Sequence, residues 1–235
     1  MLQKLFRPYQ LSESAVMLSF GNATNSAITK NIRVVNEALK KNPFPGFLET
    51  VPAYTTLTVF YDLSQVAKSD LNGDTVFEKI AGHLDKLELV PLETEATKTV
   101  LIPVCYEGVH APDMEEMTRH TGLTESEVIK LHSEPEYEVI MLGFMPGFPY
   151  LTGMDSRLQI ARRATPRKRV PEGAVGIAGM QTGIYPFAAP GGWQLIGRTP
   201  MQLFNLLQDP PALLQQGCKV KFSPISSSEF ERLIS

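Results

Sequence analysis

Hydrophobic positions change their spacing several times along the chain, and each change predicts an element. Ala15–Phe20 (AVMLSF) is an apolar run of strand length. Across Asn25–Lys41, Ile28, Ile32, Val35 and Leu39 recur at helical spacing. That helix should stop at Asn42-Pro43, because proline disfavours its continuation. Phe47–Val51 and Leu57–Tyr61 are β-rich runs around the Pro52–Thr56 turn. Asn72–Leu87 predicts a second helix with Val76, Ile80 and Leu84 inward, and Leu87–Leu92 a fourth strand. The order β-α-β-β-α-β is the split βαβ, or ferredoxin-like, arrangement. Its sheet should be antiparallel, with both helices on one face.

The polar stretch Leu92–Thr99 (LETEATKT) predicts a linker and divides the chain into domains 1–92 and 93–235. Thr99–Tyr106 opens the second domain as a strand. Pro112–His120 predicts a short helix, and Thr124-x-x-Glu127 is a capping-box signature for another over Glu125–His132. Tyr137–Phe144 (YEVIMLGF) is a buried strand. Beyond it, short β-like runs are broken by glycine and proline, and ten of the 17 glycines lie between Gly143 and Gly197. This pattern predicts a compact β barrel with ordered loops. The fold class expected is therefore α+β.

Composition narrows the function. Of 235 residues, 43% are hydrophobic and 20% charged, which excludes global disorder and leaves room for two cores. A net charge of −3 argues against a globally basic nucleic-acid binder. Two cysteines, Cys105 and Cys218, exclude a disulfide scaffold and a CxxC zinc site. No run approaches the ~20 apolar residues of a membrane span, and the first residues lack the apolar core of a signal peptide. A cytoplasmic protein is expected. His83, His110 and His120 have no metal-binding spacing, so no metal is expected. GxxxxGK[ST] and GxSxG motifs are absent.

The average charge hides a segregation. Between Ser156 and Gln208, seven cations (Arg157, Arg162, Arg163, Arg167, Lys168, Arg169 and Arg198) face one acid, Glu172. Either distant acids fold over them or they form a site for a carboxylate or phosphate, which arginine forks suit. Gly143-Phe144-Met145-Pro146-Gly147-Phe148-Pro149-Tyr150 follows the buried strand, and a rigid loop there could present Phe148 and Tyr150 as one wall of a slot. Gly183-Ile184-Tyr185-Pro186 and Pro190-Gly191-Gly192-Trp193 fall inside the cationic stretch. Clustered glycines let backbone N–H groups approach an oxyanion, or simply make tight barrel turns. His132, at the end of its helix, reads as a proton carrier, a helix cap or a packed histidine.

The runs GFMPGFPYL, RRATPRKRVPEGAVGIAG and QTGIYPFAAPGGWQLIGRTP resemble a known family. It contains the B subunit of bacterial ATP-dependent 5-oxoprolinase, the histidine-kinase inhibitor KipI, the first subunit of allophanate hydrolase and part of the carboxyltransferase region of urea carboxylase. The likeness extends to Phe44-Pro45-Gly46, Val51-Pro52-Ala53-Tyr54 and Pro103-Val104-Cys105-Tyr106. It implies a ferredoxin-like first domain and a cyclophilin-like β barrel. It also implies two partners of the 5-oxoprolinase complex, a homologous C subunit and an A subunit. ATP is the implied co-substrate, driving 5-oxoproline and water to glutamate, ADP and phosphate. The alternatives it leaves are an inhibitor that binds a histidine kinase, or a carboxyltransferase component of the allophanate hydrolase or urea carboxylase type. Within it, His132, Arg167 and Arg198 are the catalytic candidates. Phe144, Pro146, Gly147, Phe148, Tyr150, Arg163, Gln181, Tyr185, Gly191, Gly192, Trp193 and Thr199 are the candidates for substrate or anion binding. One departure is Gly173-Ala174-Val175 where the family usually has Gly-Ser-Val.

Overall fold

The computed structural model describes residues 5–22, 25–90 and 99–234. The chain divides into two compact units, Met1–Glu95 and Ala96–Ser235. The linker expected at Leu92–Thr99, and with it the 92/93 boundary, falls almost wholly outside the described residues.

In the first unit, β1 (Arg7–Ser12), β2 (Ala15–Ser19), β3 (Phe47–Pro52) and β4 (Thr56–Tyr61) pair antiparallel in the order β1-β2-β4-β3. Helices α1 (Ser26–Lys41), α2 (Leu63–Lys68) and α3 (Val76–Leu84) bury Ile32, Val35, Leu39, Val66, Ile80 and Leu84 against Leu18, Leu57, Val59 and Tyr61. Truncating one of these to alanine costs about 2–5 kcal/mol. The antiparallel sheet and its helical cover agree with expectation, but the element order does not. Leu87–Val90 is not a strand, and β1 supplies the fourth sheet position instead, beside β2. The Ser12-Glu13-Ser14-Ala15 turn folds β1 back as a hairpin, so the sheet gains its edge from the opposite end of the domain. α2 was also missed, although Asp62 caps it by accepting from the Gln65 N–H at 2.9 Å.

The second unit opens with β5 (Val100–Cys105), β6 (Tyr137–Leu142), β7 (Pro149–Thr152), β8 (Arg167–Val170) and β9 (Ala174–Ala178). It continues with β10 (Gln181–Ile184), β11 (Ala189–Gly191), β12 (Gln194–Arg198) and β13 (Lys219–Ile225). Seven of these strands close a barrel in the order β10-β7-β6-β13-β5-β12-β9. The other two, β8 and β11, pair as a separate ribbon. Helices α4 (Met114–Thr121), α5 (Glu125–Ser133) and α6 (Ser227–Ile234) complete the unit. The expected capping box starts α5, with Thr124 and Glu127 each accepting from the other's backbone N–H. Small residues let the barrel close. A Cβ on Gly197 would lie 2.6 Å from Val104 Cγ1, and one on Gly183 2.9 Å from the Phe148 ring. Val104, Tyr137, Val139, Leu151, Ile177, Ile196 and Phe222 fill the interior.

Candidate functional site

Two arginines of the cationic stretch share one distant acid. Asp113, 3% exposed, accepts from Arg163 Nη1 at 2.8 Å and Arg167 Nη2 at 2.6 Å through one oxygen. Its other oxygen accepts the Leu195 N–H at 2.6 Å. Two guanidiniums on one carboxylate leave a net positive charge. Each arginine side chain stays partly open, 36% for Arg163 and 22% for Arg167.

Glycine turns and aromatics close on the same place. The Arg163 N–H donates to the Gly192 carbonyl at 2.8 Å, and Arg167 stands opposite Gly191 in the β8–β11 ribbon. A Cβ on Gly191 would collide with the Tyr185 hydroxyl, so only glycine allows this approach. Phe148 packs against Tyr150 (4.9 Å between ring centroids), Tyr185 (5.2 Å) and Trp193 (5.4 Å). Burial raises the Tyr185 pKa, while the Trp193 backbone N–H, Arg162 and Arg167 pull it down. Burial likewise raises Tyr150 against the pull of Arg162. Arg162 therefore belongs to the electrostatics of the site, although sequence reading left it out of the candidate residues.

The loop between β6 and β7 forms the outer wall. Gly147 takes φ +78°, and a Cβ there would lie 3.0 Å from Phe204 Cβ. Phe144 takes φ +69°, rare for a bulky residue, and is 63% exposed with its ring edge-on to Phe148 and Tyr185. Exposed Pro146 turns the chain between them.

Other expected residues have different neighbours. His132 is fully buried, stacked 4.5 Å from Phe222. Thr182 Oγ1 donates to the Gly176 carbonyl, so it accepts from the His132 Nε2–H at 2.9 Å. Nδ1 then accepts from the Tyr106 hydroxyl at 2.8 Å. Burial depresses the pKa to about 3 and keeps the ring neutral. With both nitrogens engaged and no exposure, it fits the packed histidine weighed above rather than a proton carrier. Arg198 donates through Nε to the Glu172 carbonyl at 2.8 Å and lies over the Phe230 ring of α6. Strand β12 aims it at α6 rather than at Asp113. Thr199 is buried in the turn with Gly173, its N–H donating to the Gly173 carbonyl at 2.9 Å. Gln181 begins β10 opposite Ala178.

Sequence reading missed Asp113. It lies 50 residues from Arg163 among ordinary helix-start acids, and nothing local marks it. Among the described residues no group of His, Cys, Asp or Glu is placed to hold a metal ion, and no helix is long and apolar enough to cross a membrane.

Fold and site together define a two-unit α+β chain whose barrel unit carries a cationic, aromatic-walled site. The chain belongs to the family of the carboxyltransferase domain, subdomains C and D, whose model matches residues 6–214. It is 43% identical over 224 residues to the 5-oxoprolinase B subunit of Bacillus subtilis, covering 94% of this chain and 93% of that one. It is 39% identical over 218 residues to the 5-oxoprolinase B subunit of Escherichia coli O157:H7, covering 93% and 95%. The crystal structure of TTHA0988 matches with a TM-score of 0.78 and 34% identity over 91% of this chain, which spans 40% of that longer chain.

Proposed function

We propose that this chain is the B subunit of an ATP-dependent 5-oxoprolinase, working in the cytoplasm with a homologous C subunit and an A subunit. The observation that supports it most is the near full-length likeness to 5-oxoprolinase B subunits at 39–43% identity. The chemistry of the site is compatible. A lactam is a poor electrophile, and phosphorylating its amide oxygen supplies a leaving group. Every species on such a route is anionic: the 5-oxoproline carboxylate, the ATP phosphates and the phosphorylated intermediate. Arg163 and Arg167 neutralise such charge, and the Gly191-Gly192 backbone approaches an oxyanion. The aromatic wall of Phe148, Tyr150, Tyr185 and Trp193 excludes water. The isolated chain is inactive on this reading, because the site takes its remaining groups from the partners.

The test is glutamate release from 5-oxoproline and ATP by the chain co-purified with its C-like and A-like partners. A preparation lacking this chain is the control. Release that needs this chain supports the assignment, and no release from an intact three-part complex removes it. A second reading, an inhibitor that docks on a histidine kinase, draws on the exposed apolar side chains Phe144, Leu206 and Leu207 of the barrel unit. Suppressed autophosphorylation of a co-purifying kinase is its signature.

A further inference from the structure

We propose that Asp113 is a positioning residue. It fixes the guanidinium forks of Arg163 and Arg167 so that one carboxylate or phosphoryl group binds against both. This rests on the oxyanion reading of the arginine pair given above. Asp113 occupies the N-cap of α4, where an aspartate side chain ordinarily accepts from its own helix. Here it makes no such bond. Its Oδ2 accepts the Leu195 N–H at 2.6 Å, and its own N–H donates to the Leu195 carbonyl at 3.0 Å. That two-way pairing pins the start of α4 to β12 and holds Oδ1 still. Arg163 and Arg167 then both bond to Oδ1, in surroundings dry enough to strengthen each bond.

A carboxylate that served only to bury two arginines would be matched to their donors. This one is not. Arg163 Nε and Arg167 Nη1 are buried without an acceptor, and Gln194 Oε1, on the strand that Asp113 grips, is buried without a donor. Unpaired buried donors are rare and costly, so each calls for a physical reason. Asp113 therefore does not use up the two guanidinium forks: the pair keeps positive charge in excess, and side chains 36% and 22% exposed can meet a ligand that brings acceptor oxygens. Trp193 stands between Gly192, which accepts from the Arg163 N–H, and Gln194. As the only tryptophan of the chain, it reports on this spot alone.

The experiment titrates inorganic phosphate into the full chain at constant ionic strength, balanced with chloride, and follows Trp193 emission. The native chain should give a saturable change. Asp113→Asn should weaken the affinity by about tenfold or more through loss of the fixed forks. Asp113→Glu should recover part of the loss, and Arg169→Gln, at an exposed cation, should bind like the native chain. Simple neutralisation predicts the opposite sign, since removing a negative charge between two arginines would tighten phosphate. Unchanged or tighter binding by folded Asp113→Asn overturns the proposal, as does a native chain without a saturable response. Should Asp113→Asn not fold, Arg167→Lys decides, because it keeps the charge and loses the fork. Native-like binding by that variant overturns the proposal, and a similar loss upholds it. The readout needs no 5-oxoproline turnover. Asp113-dependent binding by a chain whose complex lacks 5-oxoprolinase activity would therefore refute the functional assignment and leave the positioning role standing.

Discussion

Two buried polar clusters lie inside the barrel unit, one around His132 and one around Asp113. Around His132, both ring nitrogens and the backbone carbonyl are bonded, to Thr182, Tyr106 and Tyr137. None of those side chains holds an unpartnered buried atom. Around Asp113 two arginines share one carboxylate, and donors are left over. A matched neutral network rigidifies a core. An unmatched charged one keeps its potential for a ligand, at a cost in stability. On the proposed function, the difference separates a cluster that holds the barrel together from one that serves a ligand, and it favours the packed reading of His132.

The largest effect expected on this comparison is the loss of turnover in Arg163→Ala/Arg167→Ala. Removing preorganised charge from a reacting oxyanion costs about 10²–10³-fold or more, and that loss should persist per folded complex, beyond the stability lost because Asp113, 3% exposed, is left without its two counter-ions. Glutamate release per complex and a urea titration measure the two quantities. Unaltered turnover would return these arginines to the role of a paired surface.

His132→Ala should show the reverse. Deleting a buried ring leaves a cavity and strips partners from Tyr106 and Thr182, a loss of about 3 kcal/mol. Turnover per folded molecule should persist. If turnover falls as far as in the arginine variants while stability holds, the comparison is the wrong way round.

Acid provides a gentler version of the same test. Burial holds the His132 pKa near 3 in the folded chain, against about 6.5 unfolded. Between those values the unfolded chain takes up a proton that the folded chain refuses. Stability from this group is therefore complete above pH 6.5 and is lost as pH falls toward 3. Unfolding free energy should drop by about 2 kcal/mol from pH 6.5 to pH 5, and His132→Ala should lose that part of the slope. The same direction acts at His110, where burial, then Arg198, lowers the pKa, so the difference between native and variant is the quantity to read.

The legible parts of the molecule were those with local signals. The α1 stripe, the Thr124 capping box, the central strands and the glycine-rich barrel all announce themselves within a few residues of sequence. β1 did not, because its alternation is weak and most of it is exposed. α6 was missed despite a helix-start signal, Ser226 accepting from the Glu229 N–H three residues on. In the site, Arg163, Arg167, Gly191, Gly192, Tyr185 and Trp193 could be read because they crowd one cationic segment. Asp113 and the separation of Arg198 from the arginine pair depend on how β12 faces α4 on one side and α6 on the other. No local pattern encodes that.

The smallest effect concerns the wall between the two behaviours. Phe144 pays for a left-handed backbone at φ +69° with a side chain mostly in solvent, a strain of about 1–2 kcal/mol. Phe144→Gly removes that strain. It gives up edge contacts with Phe148 and Tyr185 worth about 0.5–1.5 kcal/mol, and adds about 0.5–1 kcal/mol of unfolded-chain entropy. The terms nearly cancel, so the unfolding free energy should shift by no more than about 1 kcal/mol. Gly147→Ala, at φ +78° and against Phe204, has strain without compensation and should be the less stable of the two. If a glycine serves the fold at 144 as well as phenylalanine does, the proposed function gives the ring its use, as part of the ligand or partner face. Phe144→Gly should therefore lower turnover, or weaken partner capture, at nearly constant stability. A variant that loses stability in step with activity would instead place Phe144 with the His132 cluster, as part of the packing.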